Sequence, residues 1–199
     1  MTSNQPDALT EAGAKPAITP AIPPHLRRLV LTGFMGAGKS TIGRTLASRL
    51  GWTFLDLDTH LEHRTGATIP QLFERHGEAH FRRLESTALA SALGRSNTVL
   101  ALGGGTPEGL TNRLLLEQTP ATFTIFLDAP FPVLFDRCMM QGLARPVLAD
   151  PDAAQLRFAT RHPLYLRLAH LTVDTSALTQ DETVDFLITA LNKAPHSRL

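Results

Sequence analysis

The strongest constraint on what this chain can become lies in residues 28–51. Arg28-Leu29-Val30-Leu31-Thr32 is a short apolar run that reads as a buried strand, and it feeds directly into Gly33-Phe34-Met35-Gly36-Ala37-Gly38-Lys39-Ser40. Ile42, Leu46 and Leu50 then recur at every fourth position and Gly51 follows as a stop, the mark of a helix. Strand, glycine loop and helix in that order, with Gly-x-x-x-x-Gly-Lys-Ser in the loop, form a phosphate-binding loop. Glycines let backbone N–H groups curl around phosphate oxygens, and the helix N-terminus adds the positive end of its dipole. Gly36, Ala37, Gly38, Lys39, Ser40 and Thr41 are therefore candidates for holding a nucleoside triphosphate. Lys39 places a cation at the β- and γ-phosphates, and the Ser40 hydroxyl suits Mg²⁺. The bland alternative is a glycine turn that merely joins strand to helix; Lys39 and Ser40, both in register, weigh against it.

The remaining chain alternates strands with helices. Strands are predicted at Thr53–Asp58, Thr98–Leu102, Thr122–Leu127 and Leu171–Val173. Thr68 and Gln71 have capping-box spacing for a short helix carrying Leu72 and Phe73, and Phe81, Leu84, Ala88 and Ala92 mark one face of a longer one. A helix is expected from Pro130 to about Met140, then a mobile loop over 141–152, then a helix holding Arg157 and Arg161 that breaks or kinks near Pro163. A second capping box, Thr179 to Glu182, opens the last helix. This alternation predicts an α/β fold with a parallel sheet covered on both faces, and 199 residues suit one domain. Residues 1–24, rich in Ala, Pro, Thr and Ser, read as a flexible tail ahead of a domain at 25–199.

Charge narrows the partners. With 19 basic against 18 acidic residues the net charge is +1, which argues against a general nucleic-acid binder. Only Lys15, Lys39 and Lys193 are lysines, so the basic residues are overwhelmingly arginines, whose forked guanidinium suits carboxylate and phosphate. The single cysteine, Cys138, excludes an intramolecular disulfide and a multi-cysteine zinc site, and fits the cytoplasm. No apolar run approaches the ~18 residues of a membrane span.

Further candidates cluster at strand ends. Asp56-Leu57-Asp58 closes the second strand, where alternation would aim both carboxylates to one side, one to help hold Mg²⁺ and one to orient a hydroxyl or take its proton. The competing reading is a capping pair, with Asp58 as N-cap. Gly103-Gly104-Gly105 allows close approach of a ligand to backbone, or a tight turn. Arg82 and Arg83 share a helix with Glu78 and Glu85, which fits a solvated ion-paired face or a guanidinium held ready for a small anion. Arg145 sits in the predicted loop, where it can close over transferring phosphate.

Together these pieces resemble shikimate kinase. The resemblance rests on Gly33 to Gly43, Asp56-Leu57-Asp58, Phe81-Arg82-Arg83-Leu84-Glu85, Leu102 to Gly105, Arg145-Pro146 and Arg161-His162-Pro163-Leu164-Tyr165, in order over about residues 27–176. It implies a five-stranded parallel sheet of the nucleoside monophosphate kinase type, with a substrate-binding insert over about 58–94 and a lid over about 141–152. It implies transfer of the ATP γ-phosphoryl to the 3-hydroxyl of shikimate, with Mg²⁺, by a cytoplasmic monomer. By resemblance Asp58 binds the acceptor hydroxyls and serves as base, Arg82 and Arg161 clamp the carboxylate, and Gly104 touches the ring. Ser40 ligates the metal with Asp56 behind it through water, Lys39 and Arg145 meet phosphate, and Arg137 stacks on adenine. One departure stands out: after Val173-Asp174-Thr175, the family's polar or basic adenine residue gives way to Ser176-Ala177-Leu178, with Gln180 as substitute. The rivals are another small-molecule kinase, such as a gluconate kinase, and a non-catalytic ligand sensor on the same fold.

Overall fold

The computed structural model describes residues 22–140 and 150–193. Among these residues, strands β1 (Arg28–Thr32), β2 (Thr53–Asp56), β3 (Thr98–Ala101), β4 (Thr122–Asp128) and β5 (Leu171–Asp174) form one parallel sheet in the order β2-β3-β1-β4-β5. Helices α1 (Lys39–Leu50), α2 (Leu57–Thr65), α3 (Ile69–Leu93), α4 (Leu110–Gln118), α5 (Phe131–Met140), α6 (Pro151–Leu168) and α7 (Gln180–Lys193) connect and cover them.

Strand alternation divides the interior in two. Leu29, Leu31 and Val99 face one side and pack with Ile42 and Leu46 of α1 and Val184, Leu187 and Leu191 of α7. Val30 and Leu100 face the other and meet Leu72, Phe81, Ala88 and Leu89 of α3. Both faces of the central strands are thus apolar, as a doubly covered parallel sheet requires. Ile22, ahead of the expected domain start, already packs against the first of these cores.

The helix boundaries follow local chemistry. Thr68 and Gln71 form the expected capping box, and Thr179 and Glu182 bond reciprocally at the start of α7. The two helices expected between residues 68 and 93 are both present as the two arms of α3, separated at Gly77, whose φ of 74° and ψ of 170° are non-helical. Pro163, in contrast, does not break α6, which runs on to Leu168. The proline forfeits one backbone hydrogen bond, but Tyr165 and Leu168 beyond it are buried and hold the last turns in place. Asp150 caps α6 through the N–H groups of Asp152 and Ala153, so residues 151 and 152 are helical rather than the end of a loop. The rest of the expected lid, 141–149, and tail residues 1–21 lie outside the described residues.

Leu89 is fully buried between α3 and the sheet. Leu89→Ala should lower the unfolding free energy by about 2–5 kcal/mol, with an unchanged denaturant slope in urea titration.

Candidate functional site

The phosphate loop occupies the turn between β1 and α1 as the sequence implies. Gly36 and Gly38 are left-handed, with φ of 78° and 83°, and Gly38 caps α1 without a side-chain bond. Gly38 thus offers the first turn of α1 no side-chain cap, and a helix N-terminus suits an anion. Lys39 Nζ donates to the carbonyls of Gly33 and Phe34, each at 2.9 Å, which folds its cation over the loop. Phe34 anchors the loop from below, edge-on to Phe131 of α5 and Phe158 of α6 at centroid distances of 6.3 and 5.4 Å.

The aspartate pair is built differently from the sequence expectation. β2 ends at Asp56, and Asp58 already lies in the first turn of α2, so strand alternation does not aim the two together. The capping residue is Asp56, not Asp58: its Oδ1 accepts from the Thr59 N–H at 3.3 Å. Its Oδ2 accepts from the Ser40 hydroxyl at 2.6 Å. Asp56 thus fixes the start of α2 while joining the P-loop serine in a pair of hard oxygen donors, the chemistry Mg²⁺ prefers. Among the described residues no group of three or more His, Cys, Asp or Glu could hold a metal, so an ion at Ser40 and Asp56 would complete its shell with phosphate and water.

The triple glycine is where separate elements meet. A Cβ on Gly103 would lie 2.5 Å from Asp58 Oδ1, and one on Gly105 would lie 3.0 Å from both Arg82 Nη2 and Glu108 Oε2. At Gly104 the neighbours would be Arg161 Nη1 at 3.7 Å and the Tyr165 hydroxyl at 3.8 Å. The bare Cα positions of Gly103 and Gly105 thus let the aspartate of α2 and the arginine of α3 approach one turn, which the arginine and tyrosine of α6 also reach beside Gly104.

Each arginine is held by carboxylates. Arg82 Nη1 donates to Glu85 Oε2 at 2.9 Å and to the Gly105 carbonyl at 3.3 Å, and Nη2 donates to Glu78 at 3.2 Å and to Glu108 at 3.0 Å. Burial works to lower the Arg82 pKa, but the bond and charge of Glu85, with Glu108 and Glu78, outweigh it and raise it. Glu85 is itself buried and satisfied by Thr106 Oγ1 at 2.8 Å and Asn112 Nδ2 at 3.4 Å. Arg161 engages Glu108 as a fork, Nε to Oε1 at 3.0 Å and Nη2 to Oε2 at 3.2 Å. Arg83 is exposed beside His80 and takes no part.

Arg137 sits at the carboxyl end of β5, donating to the Thr175 carbonyl at 2.6 Å and hydroxyl at 3.1 Å. Arg145 lies outside the described residues. Sequence reasoning missed Glu108, Thr106 and Asn112. Their only signal was proximity to the triple glycine, and no spacing rule links them to Arg82 or Arg161. Tyr165 was noted only as part of a motif; its hydroxyl donates to the Gly104 carbonyl at 2.6 Å.

The protein-family comparison matches residues 35–192 to the model described as shikimate kinase. A shikimate kinase of Xanthomonas campestris pv. campestris is 39% identical over 166 residues, covering 82% of this chain and 91% of the relative. One from Symbiobacterium thermophilum is 41% identical over 160 residues, covering 78% and 91%. Among solved structures, a shikimate kinase from Acinetobacter baumannii in complex with shikimate superposes with a TM-score of 0.77 at 34% identity, covering 85% of this chain and 96% of the other.

Tyr165 is the sole tyrosine and is fully buried, and burial pushes its phenol well above the ordinary value. A phenol whose folded pKa is raised contributes stability below its unfolded pKa of about 10 and loses it as pH rises toward the folded value. Alkaline titration should show no phenolate absorbance through the ordinary tyrosine range while circular dichroism remains native. Ionisation in that range with the fold intact would contradict the packing of Tyr165.

Proposed function

Because this chain belongs to the shikimate kinase family, we propose that it transfers the γ-phosphoryl of ATP to the 3-hydroxyl of shikimate, giving shikimate 3-phosphate for aromatic amino acid synthesis. The observation that carries this reading is the turn at Gly103–Gly105, with Asp58 on one side and the Arg82–Arg161 pair on the other, one strand away from the phosphate loop. An acceptor that is small, anionic and rich in hydroxyls needs that combination of forked cations and a carboxylate.

In this reading the α1 N-terminus and Lys39 hold the β- and γ-phosphates, since phosphoryl transfer asks chiefly for positioning and cationic stabilisation. Ser40, with Asp56 behind it, would hold Mg²⁺, which would supply positive charge to offset that of the phosphates. Asp58 orients the acceptor hydroxyl and accepts its proton as the new O–P bond forms. Arg82 and Arg161 fix the acceptor carboxylate, and the backbone at Gly104, backed by Tyr165, lies against the ring. Arg137, beside Thr175 where β5 ends, is the candidate contact for adenine. Arg145 is proposed from the sequence as the lid cation that meets phosphate, and 58–94 as the acceptor-binding insert.

ATP turnover measured separately with shikimate, gluconate and nucleoside monophosphates tests the assignment. Strict dependence on shikimate is expected, and turnover with gluconate alone would defeat it. Asp58→Asn should retain ATP binding while kcat falls by about 10²–10⁴-fold; near-native kcat would remove Asp58 from hydroxyl activation. Arg161→Ala should raise the shikimate KM by about tenfold or more, and a loss confined to ATP affinity would misplace the clamp.

A further inference from the structure

The feature left over from this reading is Glu108. It sits on the short turn Thr106–Glu108 just past the triple glycine, and its side chain is one-third exposed. Its carboxylate accepts the two-pronged fork of Arg161 and one N–H of Arg82, at 3.0, 3.2 and 3.0 Å. That is the bonding a small carboxylate ligand would make with the same two guanidiniums. The Arg82 contacts divide by function: Nη1 is committed to buried Glu85, whereas Nη2 turns toward the exposed carboxylates of Glu78 and Glu108. For Arg161, Glu108 is the acceptor of both forked bonds.

We propose that Glu108 is an internal competitor for the substrate-carboxylate seat: it occupies the Arg82–Arg161 clamp in the resting protein and is displaced when the acceptor's carboxylate arrives. This rests on the shikimate reading above. The Glu108 contact sets a threshold. A ligand able to bind only the fraction of molecules whose clamp is vacant has its apparent affinity reduced by that fraction. A simple carboxylate or phosphate ion, lacking the hydroxyl contacts at Asp58, gains too little to displace Glu108, whereas the full acceptor makes both sets of contacts at once. The residue thus acts on selectivity through the two arginines, as a positioning group rather than a catalytic one.

Shikimate-dependent ATP turnover of the unaltered protein comes first, because its absence would defeat the functional reading itself. Given that activity, Glu108→Gln and Glu108→Ala should each lower the shikimate KM by roughly three- to tenfold, with the change confined to KM and the KM for ATP unmoved. Acetate should inhibit both variants more strongly than the parent. A shikimate KM that is unchanged or raised in folded Glu108→Gln would overturn the proposal and make Glu108 a permanent strut of the clamp. Should neither variant fold, a crystal structure of the parent with shikimate decides: Glu108 beyond ion-pair distance from both arginines supports displacement, and retention of those contacts refutes it.

Discussion

The organisation of this site depends on room at one turn. Gly103 and Gly105 carry no Cβ, and side chains from α2 and α3 fill the space those atoms would take, while Arg161 and Tyr165 of α6 lie in contact range of Gly104. A methyl group at Gly103 would collide with the Asp58 carboxylate and at Gly105 would crowd the Arg82 guanidinium. Because β3 lies directly beside β1, that crowded turn is adjacent to the phosphate loop. Two glycine-rich turns, more than sixty residues apart in the chain, thus share one rim of the sheet. Parallel α/β sheets place ligands at the carboxyl ends of their strands, and here the steric permission for that is written residue by residue.

Beneath the turn runs a layer of buried polar bonding. Glu85 has little access to solvent, yet it takes hydrogen bonds from Arg82, Thr106 and Asn112. It ties α3 to the segment after β3 and sets the direction of Arg82. Such a carboxylate is costly to bury unless every acceptor is used, so these partners constrain one another. The aromatic contact of Phe34 with Phe158 does comparable work on the other side, since Phe158 is one turn of α6 away from Arg161. The glycine loop, through Phe34, thus packs against the same helix that carries Arg161, while Arg82 comes from α3.

Much of this was legible in the chain itself. The strand-loop-helix unit, both capping boxes and the pairing of Arg82 with Glu78 and Glu85 follow from local spacing, because partners three or four residues apart on a helix must meet. Legibility failed where tertiary contacts decide. Asp56 and Asp58 are two residues apart, but the strand gives way to helix between them, so a period-two argument lacks its premise there. Pro163 looked like a break because propensity is a local quantity, whereas burial of Tyr165 and Leu168 is not. Glu108 was invisible for the same reason: it is 26 residues from Arg82 and 53 from Arg161, and only the fold brings their charges together.

The strand order has a further consequence, for how the molecule comes into being. β1 is the middle of the sheet, yet the strand that follows it in sequence is two places away, and its partners are β3 and β4. Leu29 and Leu31 can meet Ile42 and Leu46 of the adjoining α1 early, but neither hydrogen-bonding edge of β1 can be paired until Thr98 and Thr122, some seventy to ninety residues downstream, have been made. Such distant pairings incur loop-closure entropy before contacts compensate it, which slows folding and leaves the growing chain's edges open to misassociation. The strand that leads into the glycine loop is thus made early and paired late.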